Sequence, residues 1–270
     1  MTGRAPGTIV FAHANGFGAG TYRVLFEAWR EAGWRVLAPE KVGHDPRYPV
    51  SSNWPHLRDE LIDFAEAEAP GQRLHWVGHS MGGYLSLLVA SRRPELAAAV
   101  VLLDSPVVAG WRAHSVQVLK ATRLIERAGP GRVSQRRRPH WPTQADAGRH
   151  FAAKSVFARW DPRVLADYVE TGTEPDERGG VRLAFRREVE TRLFNTLPHH
   201  LGPLLKKHPP RCPVAFIGGG QSAEVRQAGM AATRAVTRGR IEWLEGTHLF
   251  PMEHPQAAAK AVLRWLATPA

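Results

Sequence analysis

Short apolar runs rich in β-branched and aromatic residues alternate along this chain with longer amphipathic stretches. Several of the runs are apolar throughout, which is typical of parallel strands that are covered on both faces. The predicted strands lie at 8–12, 34–38, 74–77, 99–103, 214–217 and 240–244. The amphipathic stretches between the first four of them lie at 22–32, 57–67 and 81–92. This repeated strand and helix order predicts an α/β fold with a doubly wound, mostly parallel sheet.

One interval breaks this alternation, because residues 105–208 contain no good strand pattern. The helical patterns that dominate there cover 112–127, 161–169 and 188–195. An interval of about a hundred residues is far too long for a loop between two strands. We therefore interpret 105–208 as a helical lid, inserted into a core that 1–104 and 209–270 form together. Ligands of open α/β sheets bind outside the carboxyl ends of the strands, and we expect the lid to cover that edge.

The chain is basic, with 36 Lys and Arg against 25 Asp and Glu in 270 residues and a formal net charge of +11. Its arginines are spread along the whole length, apart from the run at 136–138. No helix-turn-helix, zinc-finger or RNA-binding pattern accompanies them, so we expect no nucleic-acid partner. A solvated basic surface is the simplest interpretation. Attraction of a carboxylate, phosphate or thioester substrate is the alternative.

Signals for a membrane or for export are also weak. No apolar run approaches the roughly 20 residues that span a bilayer, which predicts no membrane insertion. Residues 1–7 lack an apolar stretch of the signal-peptide kind. The single cysteine, Cys212, excludes an internal disulfide. We expect a cytoplasmic monomer or homodimer that acts on a small molecule.

The run Gly78-His79-Ser80-Met81-Gly82 stands between a predicted strand and a predicted helix. In that context a G-x-S-x-G pattern places its serine on a strained turn, where the residues two before and two after must be small. The amino end of the helix then directs N–H groups towards negative charge that forms near the serine oxygen. A chance match in a helix-capping turn is the alternative, and the flanking elements disfavour it. We predict that Ser80 is a nucleophile.

Three turns together resemble the α/β-hydrolase superfamily, and the resemblance covers essentially the whole chain. They lie at 13–16 after the first strand, at 78–82, and at 246–248 after the last strand, and the loop at 38–44 is also similar. The resemblance implies the α/β-hydrolase type of sheet with an inserted helical lid. It does not choose a reaction, because ester, lactone, epoxide, halide and carbon–carbon substrates all occur on this fold.

The resemblance also implies a base and an oxyanion hole. A serine hydroxyl needs a base, and the superfamily's histidine maps onto His248, one of 13 histidines in the chain. One oxyanion donor would be the backbone N–H of Met81, and the second would come from the turn after the first strand, at Asn15. Ala14 replaces the glycine that is usual in this turn, which indicates a backbone that needs no positive φ there.

The acid of the triad has two candidates. After the penultimate strand, the superfamily's usual aspartate position holds Ser222, which cannot balance an imidazolium charge, and Glu224 follows two residues later. The other location known in the superfamily is the end of the preceding strand, where Asp104 stands. Asp104 could instead cap the first lid helix or form a turn before Pro106. We favour Asp104 and keep Glu224 as the alternative.

A pocket for the substrate is the least defined part of the prediction. We expect contributions from His13 and His79 near the nucleophile, and from the lid residues Trp111 and Trp160. Aromatic residues at helical spacing more often pack a core than line a pocket. No pair of side chains has metal-ligand spacing, so we expect neither a metal nor a cofactor.

The leading hypothesis is a serine hydrolase that cleaves a carboxylic ester, lactone or thioester through an acyl-enzyme. Its substrate would be small to medium in size, and apolar or anionic. A cofactor-free carbon–carbon hydrolase or perhydrolase would use the same residues. A ligand-binding receptor without catalysis is the alternative from another class of protein. A serine at position 80, where an aspartate would be needed, argues against epoxide and haloalkane hydrolysis.

Overall fold

A six-stranded sheet forms the centre of the computed structural model, which describes residues 6–122, 124–129 and 131–268. The described strands are β1 Thr8–Ala12, β2 Arg35–Leu37, β3 Leu74–His79, β4 Ala97–Leu103, β5 His140–Trp141, β6 Thr173–Pro175, β7 Val181–Leu183, β8 Val214–Gly219 and β9 Ile241–Leu244. The central sheet has the order β2-β1-β3-β4-β8-β9, and each pair of neighbours is parallel. The predicted fold class, an α/β protein with a mostly parallel sheet, is confirmed.

Helices cover both faces of this sheet. The described α-helices are α1 Arg23–Glu31, α2 Pro55–Glu68, α3 Met81–Arg92, α4 Trp111–Ala121, α5 Leu124–Ala128, α6 Gly131–Gln135, α7 Gln144–Ala152, α8 Pro162–Thr171, α9 Arg187–Asn195, α10 Leu201–Lys207, α11 Ala223–Ala228, α12 Ala231–Thr237, α13 Phe250–Glu253 and α14 Pro255–Ala267. Short 3-10 helices lie at Ala19–Tyr22 and Pro94–Leu96. Helix α1 packs against α14 on one face, and α2 packs against α3 on the other.

The side chains of β1 show why the central strands are apolar throughout. Ile9 and Phe11 are buried in the cluster under α1 and α14, whereas Val10 and Ala12 are buried in the cluster under α2 and α3. Successive residues of a strand point to opposite faces, so a strand with helices on both sides needs an apolar residue at every position.

The segment between β4 and β8 differs in part from its prediction. It contains α4 to α10 and also a small antiparallel sheet in the order β5-β7-β6. The expectation that this interval has no strands is therefore wrong, because strands of two or three residues are too short to show an alternating pattern. The predicted helix at 112–127 is also wrong as one element, since α4 ends at Ala121 and α5 begins at Leu124.

None of the helices in the described ranges has both the length and the apolarity needed to cross a membrane. The sequence expectation about a leader rests on residues 1–7, and residues 1–5 lie outside the described part of the chain.

Candidate active site

The turn from β3 to α3 places Ser80 at the carboxyl edge of the central sheet. Its backbone has φ 52° and ψ −113°, a conformation that costs a residue with a side chain a few kcal/mol. The two flanking glycines explain how the turn closes. A Cβ on Gly78 would lie 2.2 Å from the carbonyl of Gly82, and a Cβ on Gly82 would lie 1.9 Å from the carbonyl oxygen of Ala12. Small residues are therefore required two positions before and after Ser80.

His248 lies beside Ser80, in the loop that follows β9. Its Nε2 is 3.0 Å from Ser80 Oγ, and its Nδ1 is 2.6 Å from Asp104 Oδ2. With Nδ1 donating to the carboxylate, Nε2 carries the lone pair and accepts from the serine hydroxyl. This arrangement allows the imidazole to take the Ser80 proton while Asp104 stabilises the resulting charge.

Asp104 ends β4 with a positive φ of 44° and is fully buried. The backbone N–H of Gly219 donates to its Oδ1 at 2.8 Å, and the Ser222 hydroxyl donates to its Oδ2 at 2.6 Å. Both donors come from β8 and the turn after it, the neighbouring strand in the sheet. These two donors hold the carboxylate in position, Ser222 on the oxygen that also contacts His248 and Gly219 on the other oxygen.

Glu224, the alternative acid, lies on the exposed side of the same site. One of its carboxylate oxygens is within 4.8 Å of the ligand atoms of Asp104 and His248. Among the described residues, however, the carboxylate hydrogen-bonded to His248 Nδ1 is that of Asp104. Burial alone would lower the pKa of His248, but its hydrogen bond to Asp104 and the charges of Asp104 and Glu224 together raise that pKa above its ordinary value. Glu224 therefore acts on the histidine through its charge.

The loop of His248 is held by a second buried carboxylate, Glu253. It accepts hydrogen bonds from the backbone N–H of Thr247 at 2.9 Å and from its hydroxyl at 2.6 Å. Gly246 has φ 119°, and a Cβ there would lie 2.5 Å from the Glu253 carboxylate. The glycine of the Gly-Thr-His turn is thus needed for this close approach.

The two predicted oxyanion donors belong to different elements. Met81 is the first residue of α3, where a backbone N–H has no acceptor within its own helix. Asn15 lies in the turn after β1, and its side-chain amide donates to the carbonyl of Glu190 at 3.0 Å. Because the side chain is engaged in this way, the donor available from Asn15 is its backbone N–H. The neighbouring Ala14 is absent from the positive-φ residues, as its replacement of glycine predicts.

His79 is fully buried, and both of its ring nitrogens are hydrogen-bonded. The backbone N–H of Ala14 donates to the hydroxyl of Tyr22, which in turn donates to His79 Nδ1 at 2.7 Å. His79 Nε2 then donates to the backbone carbonyl of His248 at 2.9 Å. Burial lowers the pKa of His79 to about 3, so the ring is neutral. This chain of hydrogen bonds joins the turn after β1 to the loop that carries His248.

The other three predicted pocket residues lie in different environments. His13 is fully buried, with Nε2 accepting from Val42 N–H and Nδ1 donating to the carbonyl of Ala14, so both ring nitrogens are occupied. Trp160 is buried and contacts Phe17, the residue that follows the turn at 13–16. Trp111 differs from the prediction, since its side chain is 70% exposed and stacks on its neighbour's guanidinium. As the first residue of α4, it points into solvent instead of a pocket.

The donor atoms of Asp104, Glu224 and His248 are close enough together to be considered for a metal ion. His248 Nδ1 is already hydrogen-bonded to Asp104 at 2.6 Å, however, and a cation between them would replace that bond. The arrangement fits proton transfer better than coordination.

Sequence reasoning missed the roles of Ser222, Glu253 and Tyr22. A serine at position 222 cannot replace the acid, but its hydroxyl donates to the carboxylate of Asp104. Glu253 and Tyr22 carry no local pattern, since their partners lie on other loops.

Comparison with known proteins agrees with this geometry. A family model described as the alpha/beta hydrolase family matches residues 9–261. The chain is 27% identical over 238 residues to the abhydrolase domain-containing protein AFT2-1 of Alternaria alternata, with 70% of this chain and 81% of that protein covered. It is 32% identical over 120 residues to the probable esterase PIR7A of Oryza sativa subsp. indica, and that match spans 43% of this chain and 46% of the relative.

Among solved structures, E-2-(acetamidomethylene)succinate hydrolase superposes with a TM-score of 0.73 at 20% identity, over 97% of this chain and 92% of that one. At that identity the likeness concerns the fold. The family model, by contrast, covers nearly the whole chain, including the Ser80, Asp104 and His248 positions. The chain belongs to the alpha/beta hydrolase family and is an enzyme of the hydrolase class.

Proposed function

We propose that this hydrolase cleaves a carboxylic ester, lactone or thioester through an acyl-enzyme on Ser80. The observation that carries the proposal is the unbroken hydrogen-bond line from Ser80 Oγ through His248 to Asp104, with distances of 3.0 and 2.6 Å. Such a line activates a hydroxyl that is otherwise a poor nucleophile.

The chemistry runs in two halves. Ser80 Oγ attacks the carbonyl carbon while His248 Nε2 takes the hydroxyl proton, and the N–H groups of Met81 and Asn15 bind the oxyanion. His248 then gives its proton to the leaving alcohol or thiol as the bond from the carbonyl carbon breaks. A water molecule repeats the sequence on the acyl-enzyme, releasing the carboxylic acid and restoring Ser80.

Residues 105–208 form the lid of this proposed site. Support comes from their contacts with the turn after β1, where Asn15 donates to the Glu190 carbonyl and Phe17 packs against Trp160 and Tyr168. These aromatic rings favour an apolar acyl or alcohol group of small to medium size. The excess of arginine also allows an anionic one. The name of the rice relative, a probable esterase, fits ester cleavage.

The direct test is hydrolysis of a short p-nitrophenyl ester in the presteady state. We expect a burst of one p-nitrophenolate per active site, and covalent labelling of Ser80 by a fluorophosphonate. Ser80→Ala should abolish both signals. Ser91→Ala removes a hydroxyl from the far end of the same helix, α3, and should leave both unchanged.

Three outcomes would contradict the proposal. Turnover that survives in Ser80→Ala would exclude the acyl-enzyme. Absence of labelling and of turnover across acyl lengths, with ligand-induced shifts in the melting temperature, would favour a receptor. Activity confined to carbon–carbon or peroxide substrates would favour a carbon–carbon hydrolase or perhydrolase that uses the same residues.

The cellular setting belongs to the proposal as well. We place the enzyme in the cytoplasm, as a monomer or homodimer acting on a small molecule. The free thiol of Cys212 is compatible with a reducing compartment. Cell fractionation and sedimentation velocity test the two statements.

A further inference from the structure

A cavity of about 560 Å³ lies between α10 and α12, apart from the Ser80 site. Its lining extends from Val107, after the end of β4, to Arg211 and Arg240, which precede the amino ends of β8 and β9. The triad residues lie at the carboxyl ends of the strands. The six residues of β8 separate the two ends by roughly 17 Å, at about 3.3 Å per residue. The Arg240 end of this cavity is therefore far from the reacting atoms.

The floor of the cavity is apolar. Leu205 and Val214 are buried there, and the half-buried Cys212 and Val236 pack against the main core. Prolines and alanines complete the floor. The volume lies within the range of about 300–1,000 Å³ that is typical of small-molecule sites.

The rim of the cavity is cationic. It carries Lys206, Arg211, Arg238 and Arg240, and the sixteen lining residues include no aspartate or glutamate. Within the described part of the chain, the side chains of Lys206, Arg238 and Arg240 have no hydrogen bond or ion pair. Arg211 is the exception, since it lies near the charge of Glu95. A half-buried guanidinium without a counter-charge, as at Arg240, is well placed to bind an anion.

We propose that this cavity binds an anionic amphiphile of the fatty-acid class. Its alkyl chain lies on the apolar floor, and its carboxylate binds Arg238 and Arg240. The chemistry of the lining selects this class, because the floor suits a flexible chain and the rim suits one negative head group. A nucleotide is disfavoured, since none of the sixteen described lining residues is an aromatic on which a base could stack. The site is independent of the reaction at Ser80.

Cys212 provides a direct readout, because it is the one cysteine of the chain and lines the cavity. Labelling by N-ethylmaleimide, followed by mass spectrometry of the intact Ser80→Ala protein, measures how accessible the thiol is. We expect dodecanoate to slow the labelling at least tenfold, and its apparent affinity to rise about fourfold for each added methylene. Dodecyltrimethylammonium, with the same chain and the opposite charge, should give no protection.

The rim is tested with a matched pair of double variants. Arg238→Ala with Arg240→Ala should raise the dodecanoate concentration that gives half protection on the order of tenfold or more. Arg226→Ala with Arg234→Ala removes the same charge from exposed positions on α11 and α12 outside the lining, and should change nothing. Ala235→Trp fills the cavity and should abolish protection by dodecanoate. Circular dichroism checks that each variant is folded.

Three results would overturn the inference. The first is equal labelling of Cys212 with and without dodecanoate, and the second is equal protection by the two amphiphiles, which indicates general detergent binding. Equal effects of the two double variants would show that only net charge matters. Because the experiment uses Ser80→Ala protein and measures no turnover, its outcome is separate from that of the proposed hydrolysis.

Discussion

At the scale of single residues, Asp104 accepts hydrogen bonds from three groups, one of which is the imidazole of His248. Gly219 N–H, the Ser222 hydroxyl and His248 Nδ1 all donate to one buried carboxylate. Two of these donors fix the carboxylate, and the third is the imidazole that it orients. The position and tautomer of His248 therefore depend on Asp104 more than on any other side chain.

Replacing Asp104 with Asn should lower kcat on the order of ten-thousandfold, because an amide cannot hold the productive tautomer of the histidine or balance its charge. Steady-state kinetics on a p-nitrophenyl ester measure the loss. Glu224→Gln is the comparison and should retain most of the activity. An active Asp104→Asn enzyme, together with an inactive Glu224→Gln enzyme, would reverse the assignment of the acid.

The pH dependence of the reaction gives a second prediction for a single residue. His248 must be neutral to act as a base, so kcat/KM rises with pH through its pKa, which lies above the ordinary value. Glu224→Gln removes a negative charge that favours the imidazolium, and should move this acidic limb to lower pH. Glu245→Gln removes an exposed charge from the same strand-end region and should leave the limb in place. A shift to higher pH in Glu224→Gln would contradict the electrostatic role.

At the scale of elements, the strained turn between β3 and α3 depends on contact with β1. Gly82 lies against the carbonyl and the Cβ of Ala12, so the start of α3 packs directly on the neighbouring strand β1. The strain at Ser80 is tolerated because the core holds the turn: the Ser80 N–H donates to the Leu103 carbonyl of β4 at 3.0 Å, and Gly82 packs on β1.

Gly82→Ala should be strongly destabilising, since its Cβ would lie 1.9 Å from a backbone oxygen that cannot move without displacing β1. We expect the free energy of unfolding to fall by at least about 3 kcal/mol, which is the upper end of the usual cost of overpacking a core. Gly148→Ala is the control: it lies in α7 with ordinary contacts of 3.6 Å and should be neutral or stabilising. Denaturant unfolding measures both. Similar stability of the two variants would contradict the steric explanation.

The strands and turns also show which parts of the fold can be predicted from sequence patterns. The six central strands and the Ser80 turn are predictable because apolar runs and paired glycines are local signals. The strands β5 to β7 escape prediction because they are too short for a period to develop. The support of Asp104 by Ser222 is also hidden, because it joins residues 118 positions apart that meet through strand pairing.

At the scale of the whole molecule, a buried ion pair within the segment 105–208 packs against the turn after β1. Arg137 binds Glu190 and the hydroxyl of Tyr168, all within the segment. A Cβ on Gly16 would lie 3.0 Å from Glu190 and 3.2 Å from Arg137, so the turn after β1 packs directly against this pair. Burial raises the pKa of Glu190, and the charge and hydrogen bond of Arg137 oppose that rise.

Arg137→Met should lower the free energy of unfolding by about 3–5 kcal/mol, because it leaves Glu190 buried without a counter-charge. Arg136→Met removes an exposed neighbouring charge and should cost little. Combining Arg137→Met with Glu190→Leu should recover part of the loss. Urea unfolding of the four proteins measures these differences. Equal stability of Arg136→Met and Arg137→Met would exclude a structural role for the pair.

The hydrogen bonds that hold Asp104 bear on how an enzyme of this family can change its substrate during evolution. The inserted segment begins at the very next residue, yet both groups that fix the carboxylate belong to β8 and the turn after it. We therefore expect that substitutions in this segment that leave its contacts with the core intact can alter what reaches Ser80 while Asp104 keeps its position. The residues that hold the acid and the residues that face the substrate can then change separately.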